Sequence, residues 1–370
     1  MGKDKEVYGL SAEKSVGQIE APQISYLPKK PKRYNPKIGL IGAGGISEYH
    51  LKNYKAFGLN VVAIADVVLA KAIERKNQFF PNAEVYDDYK KILGRSDIEV
   101  VDITPHPMDR IPIIKEALRA KKHVLSQKPF VLDIKDGREL VALAKSNGVK
   151  LAVNQNGRWA PHFSYMLAAI RTGLIGRPIS IDYSLQWDQT WVKGSAFEDI
   201  HHMILFDFAI HWFDITAAFM DGQKATSVYA SAIKYDEQIY GPPALASCII
   251  DYEQAQVRMA FNAHTTLGEE DVTTIVGTKG TLRSRGPGLN DQPLMELFTE
   301  NGAVEIPLKG CWFENGFQGT MGELLCAIDE NREPSNSAES TLKGLELCFA
   351  ALESANTNKI IVPGEANKVS

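Results

Sequence analysis

No run of apolar residues in the sequence approaches the roughly 20 that a membrane-crossing helix requires, which argues against a bilayer-spanning helix. Cysteine is scarce: Cys248, Cys311, Cys326 and Cys348 are scattered, with no C-x-x-C pair. Such spacing in a chain of this size reads as reduced, mostly buried thiols and suits the cytoplasm. Neither sign of charge dominates. With 41 Lys and Arg against 45 Asp and Glu, the net charge is -4, and there is no basic excess to attract nucleic acid. Met1 to Glu6 lacks the apolar stretch of a secretory signal, and Glu6 stands where a myristoylation signal has Ser or Thr. Internal repeats and low-complexity tracts are also missing. The expectation is a cytoplasmic protein with no membrane and no nucleic-acid partner.

At 370 residues, 44% of them hydrophobic, the chain is two or three times a typical domain, so two domains are expected. Residues 1–36 show no periodicity and end among Pro28, Pro31 and Pro36. They read as an extended arm whose basic segment, Lys29 to Arg33, is either a solvated leader or a strap against the first domain or a neighbouring subunit. From Lys37 the pattern alternates between short apolar runs and helical stretches. Ile38 to Ile41, Val61 to Ala65, Ile98 to Ile103, His123 to Leu125 and Leu151 to Val153 read as strands. Such alternation predicts a parallel sheet with helices on both faces over residues 37–155.

The rhythm changes over residues 156–370. The spacing predicts one helix from Ile204 to Phe219. Strand-like segments follow at Ser227 to Ile233, Ala246 to Tyr252, Gln256 to Ala263 and Val272 to Val276. Two helices are expected near Met321 to Ile328 and Leu342 to Ser354. This is an α+β pattern with a mainly antiparallel open sheet. The fold class is therefore α/β, with this second domain serving substrate binding and oligomerisation.

Gly42-Ala43-Gly44-Gly45-Ile46-Ser47 follows the first strand and opens a helix. Glycine at the first two fingerprint positions permits a tight turn and lets backbone approach a pyrophosphate, which the helix N-terminus attracts. Ser47 replaces the usual third Gly or Ala. Asp66 ends the second strand, 24 residues after Gly42, close to the spacing of a ribose-binding acid. Its carboxylate suits the free hydroxyls of NAD and repels the 2′-phosphate of NADP. These features predict a Rossmann dinucleotide-binding domain and NAD as cofactor.

Six segments in order resemble the Gfo/Idh/MocA oxidoreductases, from Lys37 onward. They are the fingerprint, Thr104-Pro105, Gln127-Lys128-Pro129, Asn156-Gly157-Arg158-Trp159, Gly173 to Pro178, and Asp207-x-x-x-His211. The resemblance implies a cofactor site of Gly42, Gly44, Gly45, Ile46, Asp66, Thr104, Pro105, His106, Gln127 and Lys128. Gln127 stands where the family commonly has Glu. The resemblance also implies a carbohydrate-like substrate, met by Arg158, Trp159, Trp187, Asp207 and His211, and a homodimer or homotetramer formed through the C-terminal sheet.

Asp207, His211 and Asp214 are spaced i, i+4 and i+7, which places them on one helix face. A neutral histidine there can take a hydroxyl proton, with Asp207 orienting the imidazole or holding a neighbouring hydroxyl. Lys128 comes from the strand ends that form the crevice and can stabilise alkoxide character. By resemblance, His211 is the base, Lys128 its partner and Asp207 the third catalytic group. Trp187 and Trp191 lie in a segment that either stacks on sugar rings or packs beneath a loop. His201-His202 raises a metal site, but no family pattern requires one, and none is expected. The function read from these residues is NAD-dependent oxidation of a secondary or anomeric hydroxyl of a sugar, cyclitol or related polyol. Two alternatives stay open: glycoside cleavage or isomerisation on a retained NAD, and a non-catalytic sensor of NAD and a sugar.

Overall fold

A computed structural model describes residues 17–369. The readings made on Met1 to Glu6, and the first part of the arm, lie outside the described residues. The first sheet has six parallel strands: β1 (Lys37–Ile41), β2 (Asn60–Ala65), β3 (Glu84–Tyr86), β4 (Ile98–Ile103), β5 (His123–Ser126) and β6 (Leu151–Val153). Their order in space is β3-β2-β1-β4-β5-β6. The interleaved helices are α1 (Gly45–Phe57), α2 (Leu69–Phe79), α3 (Lys90–Leu93), α4 (Pro107–Arg119) and α5 (Ile134–Asn147). Helices on both faces bury most of the central strands, which is why Ile38 to Ile41 and Val100 to Ile103 are near-continuous apolar runs. Strand order reverses between β1 and β4, and that reversal opens a crevice at their C-terminal ends.

The second sheet has eight strands: β7 (Pro178–Gln186), β8 (Ala225–Ile233), β9 (Leu245–Tyr252), β10 (Ala255–Asn262), β11 (Glu270–Gly277), β12 (Gly280–Gly286), β13 (Leu294–Thr299) and β14 (Gly302–Pro307). They run β14-β13-β12-β11-β7-β10-β9-β8, antiparallel except for the parallel pair β7 and β10. Alternation sets the two faces. On β10, Val257, Met259 and Phe261 point into the core while Gln256, Arg258 and Ala260 face outward. Arg258–Asp182, Arg283–Glu296 and Arg285–Glu270 pair on the outer surface.

Four helices cover the inner face and join the two halves: α6 (Pro161–Arg171), α7 (Ile210–Phe219), α8 (Trp312–Asp329) and α9 (Ala338–Thr357). Met321, Leu324 and Leu325 of α8 share one buried cluster with Ile38 and Leu40 of β1 and with Leu51 and Tyr54 of α1. The last two helices thus return to the first sheet, with α9 lying against α5, α7 and β8. Among the described residues no helix is long and apolar enough to cross a membrane. Cys248, Cys326 and Cys348 are buried free thiols.

Residues 17–36 pack as a strap. Gln18 bridges to Ala303 on β14, the Ser164 hydroxyl donates to the Tyr26 carbonyl at 2.6 Å, and Lys30 Nζ donates to the carbonyl of Phe57 at the end of α1. The strap therefore touches both halves of the molecule. Three differences from the sequence expectation stand out. The short elements β3 and α3 carry too few residues to show a period, and β12 to β14 alternate only weakly. The third difference matters for function: the helix expected from Ile204 to Phe219 is interrupted. Ile204–Phe208 forms a wider π turn, closed by Ala209 N–H donating to Ile204 C=O at 2.8 Å, and only then does α7 begin. An inserted residue of this kind rotates everything before it relative to everything after it.

One buried acid on the inner face makes a test of this packing. Asp271 on β11 is 0% exposed, and burial pushes its carboxyl up to about 8, offset in part by the Gln292 amide. The folded protein therefore keeps a proton that the unfolded chain releases near pH 4. The stability that Asp271 contributes is complete below that unfolded value and drains away as pH rises toward 8. Asp271→Asn carries no such proton. Its melting temperature should fall less than that of the parent between about pH 5 and about pH 9; parallel curves for the two proteins would show that Asp271 is not buried as described.

Candidate active site

The turn between β1 and α1 sits at the mouth of the crevice. Gly42 has φ +96°, and a Cβ there would lie 2.6 Å from Thr104 Oγ1 and 2.9 Å from Pro105 Cδ. Only glycine fits that turn. Thr104 fastens it from the end of β4, its hydroxyl lying 2.8 Å from the Gly42 carbonyl and 3.2 Å from that of Ile41. At Gly44 and Gly45, in contrast, a Cβ would meet nothing within 4 Å. No side chain caps the first turn of α1, whose leading N–H groups are the orphan donors that suit an anion. The residues present fit a dinucleotide pyrophosphate. Asp66 braces the same turn: its Oδ2 accepts from Ala43 N–H at 2.7 Å and its Oδ1 from Val68 N–H at 2.8 Å. Each oxygen keeps a lone pair for a ribose hydroxyl. His106 is exposed at the start of α4 and makes no capping bond there.

Deeper in the crevice the structure brings Lys128, Asp207 and His211 around one cavity of about 330 Å³. Lys128, from the loop after β5, donates to the Asp207 carbonyl at 2.9 Å and lies 3.2 Å from its Oδ1. The π turn presents both oxygens to the lysine, so Asp207 does not serve His211 in the way its i, i+4 spacing suggests. His211 Nδ1 is sealed and has no hydrogen-bond partner, while its ring stands 5.6 Å from that of Trp312. Burial first, and then the charge of Lys128, push the imidazole well below its ordinary value. His211 is thus neutral at physiological pH. Gly157 lets α7 approach this closely, because a Cβ there would lie 2.9 Å from both Ile215 and Trp312.

Two expected substrate residues lie elsewhere. Arg158 is 4% exposed and forms a two-point pair with Asp214: Nε to Oδ2 at 2.5 Å and a terminal nitrogen to Oδ1 at 2.7 Å. Its remaining donors go to the Ser335 carbonyl and the Ser340 hydroxyl. It therefore braces the fold rather than meeting substrate, and it removes Asp214 from the helix face shared with His211. Trp159 packs against Gly319 and lines a separate cleft of about 410 Å³ beneath the strap. That cleft is larger, but Arg158 and Glu323 in its wall are already paired, with Asp214 and Arg332. Trp187 does line the catalytic cavity as a back wall, 2% exposed and 5.3 Å from Trp212. Trp191 is 52% exposed and lies outside the lining. Neither His201 nor His202 reaches the cavity; His202 Nε2 sits 2.6 Å from Asn356 Oδ1.

A buried network behind Lys128 escaped the sequence reading. His50 of α1 and Asp102 of β4 are both 0% exposed, with His50 Nδ1 2.7 Å from Asp102 Oδ2, which also accepts from the Tyr54 hydroxyl at 2.7 Å. A carboxylate only accepts, so Nδ1 carries the proton and Nε2 is left as an acceptor. Gln127 Nε2 at 3.2 Å and Asn154 Nδ2 at 3.3 Å supply the donors. That orientation turns Gln127 Oε1 toward the Lys128 N–H, which it meets at 2.6 Å. The amide at position 127 therefore matches an acceptor at His50 Nε2, and the pair holds the Lys128 loop from behind.

The glycine turn yields a paired test. Gly42→Ala should lower unfolding stability by about 1–3 kcal/mol, because both the positive φ and the Thr104 contact oppose a side chain. Gly44→Ala, with open space at its Cβ, should fold normally yet lose dinucleotide binding by calorimetry. Equal stability losses in the two variants would contradict this division.

Residues 36–155 match the family model described as the oxidoreductase family NAD-binding Rossmann fold, and residues 163–283 match the GFO/IDH/MocA C-terminal domain. D-apiose dehydrogenase of Paraburkholderia graminis is 25% identical over 355 residues, covering 91% of this chain and 92% of that protein. Inositol 2-dehydrogenase of Rhizobium meliloti is 25% identical over 331 residues, covering 86% and 96%. An Agrobacterium radiobacter oxidoreductase, solved with NAD+, L-tartaric acid and magnesium, superposes with a TM-score of 0.79 at 22% identity, over 90% of this chain and 99% of that one. With both domain models matched in order over most of its length, the chain belongs to the Gfo/Idh/MocA family of oxidoreductases.

Proposed function

We propose that this chain is an NAD-dependent dehydrogenase that oxidises a secondary or anomeric hydroxyl of a sugar, cyclitol or related polyol. The observation that carries the reading is the convergence of Lys128 and His211 on one cavity, directly beyond a glycine turn open to a dinucleotide. Gly44, Gly45 and the first turn of α1 hold the pyrophosphate, and Asp66 the adenosine ribose. When bound, NAD+ supplies the hydride acceptor. His211 receives the hydroxyl proton at Nε2, the nitrogen left once Nδ1 is sealed. Its depressed basicity keeps it unprotonated and ready. Lys128 donates to the reacting oxygen and stabilises the charge that grows there. Asp207 holds the lysine in place from both its carboxylate and its backbone. The aromatic walls exclude water from the transfer.

Cofactor preference follows from what surrounds Asp66. The next residues, Val67 and Val68, are exposed and apolar and bring no charge to receive a 2′-phosphate. The relatives named for apiose and inositol support a polyhydroxylated substrate. The outer face of the eight-stranded sheet, with Ile179, Tyr229, Ile233 and Ile249 exposed, is the surface through which two or four copies associate.

Three measurements test the reading. His211→Ala should lower kcat/KM by roughly 10²–10⁴ while calorimetric NAD affinity holds; an active mutant removes the proposed base. The acid limb of kcat/KM should lie below the ordinary histidine value, and in Lys128→Met the residual activity should show it moved upward, because the neighbouring cation is gone. An unmoved limb would detach Lys128 from the histidine. Asp66→Ser should reduce the NAD-over-NADP preference by about tenfold or more, read from kcat/KM with each cofactor.

A further inference from the structure

We propose that the substrate of this site is a glycoside bearing an apolar substituent about the size of an aromatic ring, and that Phe197, Phe208, Leu289 and Phe313 form the subsite for that substituent. The inference rests on the dehydrogenase reading and narrows its substrate class.

The first argument is the supply of polar partners. A free hexose or cyclitol brings about five or six hydroxyls into the cavity, and each needs a partner once it leaves water. The cavity offers few. Gln127 is committed on both amide atoms, to His50 and Asn154 and to the Lys128 N–H. Asn156 Oδ1 already accepts from Trp312 Nε1 at 3.0 Å, and Gln189 Oε1 from Trp191 Nε1 at 2.6 Å. Lys128, Asp207 and His211 remain, together with the amide nitrogens of Asn156 and Gln189, enough for the reacting carbinol and its neighbours. A free sugar asks more of them than a glycoside, which has no anomeric hydroxyl to satisfy.

The second argument is the shape of the apolar surface. A pyranose has an apolar face that one ring can cover, and Trp187 with Trp212 and Trp312 already closes the back. The remaining apolar groups lie at the mouth and come from four separate segments. Phe197 belongs to the turn Ala196–Asp199, Phe208 to the π turn, Leu289 to the loop after β12, and Phe313 to the first turn of α8. Phe197 and Phe208 are half-buried and 6.2 Å apart, with the exposed ring of Trp191 leaning on both at 5.1 and 6.3 Å. Phe313 is 41% exposed. This surface is continuous with the catalytic cavity. An apolar group attached to the sugar fills it while the ring reaches Lys128 and His211. In the reaction a carbinol C–H gives its hydride to NAD+, the hydroxyl proton passes to His211, and a carbonyl forms. The glycosidic bond is untouched, so the substituent stays in its subsite.

The test uses the purified full chain with NAD+ and matched phenyl and methyl glycosides of glucose, galactose and xylose, together with the free sugars and myo-inositol. NADH absorbance should give a phenyl-to-methyl ratio of kcat/KM of at least about tenfold for the accepted sugar, as expected for burying a ring. Calorimetry on the NAD-loaded protein should show the same preference in Kd. Phe197→Ala and Leu289→Ala should each pull both ratios toward one. Equal handling of phenyl and methyl glycosides overturns the proposal. So does turnover of free sugars or inositol without a gain from the phenyl group, although the dehydrogenase reading then stands. If nothing in the panel binds or reduces NAD+, both fail together. If the two variants change the molecular mass in solution and leave the ratios alone, a second copy covers this surface and the proposal falls.

Discussion

Arg158 and Asp214 meet with both side chains almost wholly removed from water, 3% and 1% exposed, and the site is built around that meeting. The arginine follows β6 at the end of the first sheet, and the aspartate sits in the middle of α7 beneath the second. Two parallel contacts fix the guanidinium plane, and its remaining donors reach Ser335 and Ser340 ahead of and within α9. Removing one partner of such a pair costs about 3–5 kcal/mol, because the other is left charged and buried. The pair thus locks three segments whose relative position decides where His211 stands with respect to Lys128. Two side chains carried by α7 and by the loop after β5 need a joint of this rigidity to face one cavity.

Within that frame, one cation serves two purposes. Lys128 is drawn to Asp207 across the crevice, and its charge also lowers the basicity of His211. Burial alone depresses an imidazole, and the adjacent ammonium adds to it, so the histidine remains a neutral acceptor. The π turn makes this geometry available, because it offers a backbone carbonyl and a carboxylate of the same residue to a single ammonium. Behind the lysine, the chain from Asp102 through His50 to Gln127 runs between buried groups only, which suits a scaffold more than a path for protons to solvent.

Much of this was readable in the sequence where the signal is local. The glycine turn, the strand before it, the helix after it and Asp66 lie within one strand–helix–strand unit, where spacing translates directly into position. Lys128, Asp207 and His211 also converge in space. What escaped was set by contacts between distant residues or by departures from regular periods. A period of 3.6 has no way to signal the π turn, so the spacing offers Asp207 to the histidine or to a neighbouring hydroxyl and is silent on its contact with Lys128. Arg158 looked like a substrate cation because its partner is 56 residues away on an apolar helix. A trace was present for the buried network: Asp102 interrupts the apolar run Val100 to Ile103, and such an acid needs a partner, here His50. Leu289 and Phe313 carried no mark at all, since nothing in their neighbourhoods links them to a cavity built chiefly by other elements.

The strap over residues 17–36 has a further effect on the eight-stranded sheet. Its first residues exchange backbone hydrogen bonds with the outermost strand, Ile19 N–H to Ala303 C=O at 3.1 Å and Ala303 N–H to Gly17 C=O at 2.8 Å. At the opposite margin Val228 of β8 exchanges the same pair of bonds with Ile361, at 2.8 and 2.9 Å. Each margin is thus met by another segment of the chain, where unpaired N–H and C=O groups would otherwise template the addition of foreign strands. A wide open sheet is an aggregation hazard mainly at its margins. Here the two segments act as selvedges: each pins one point of a margin and hinders lateral growth there, while the broad face of the sheet stays open.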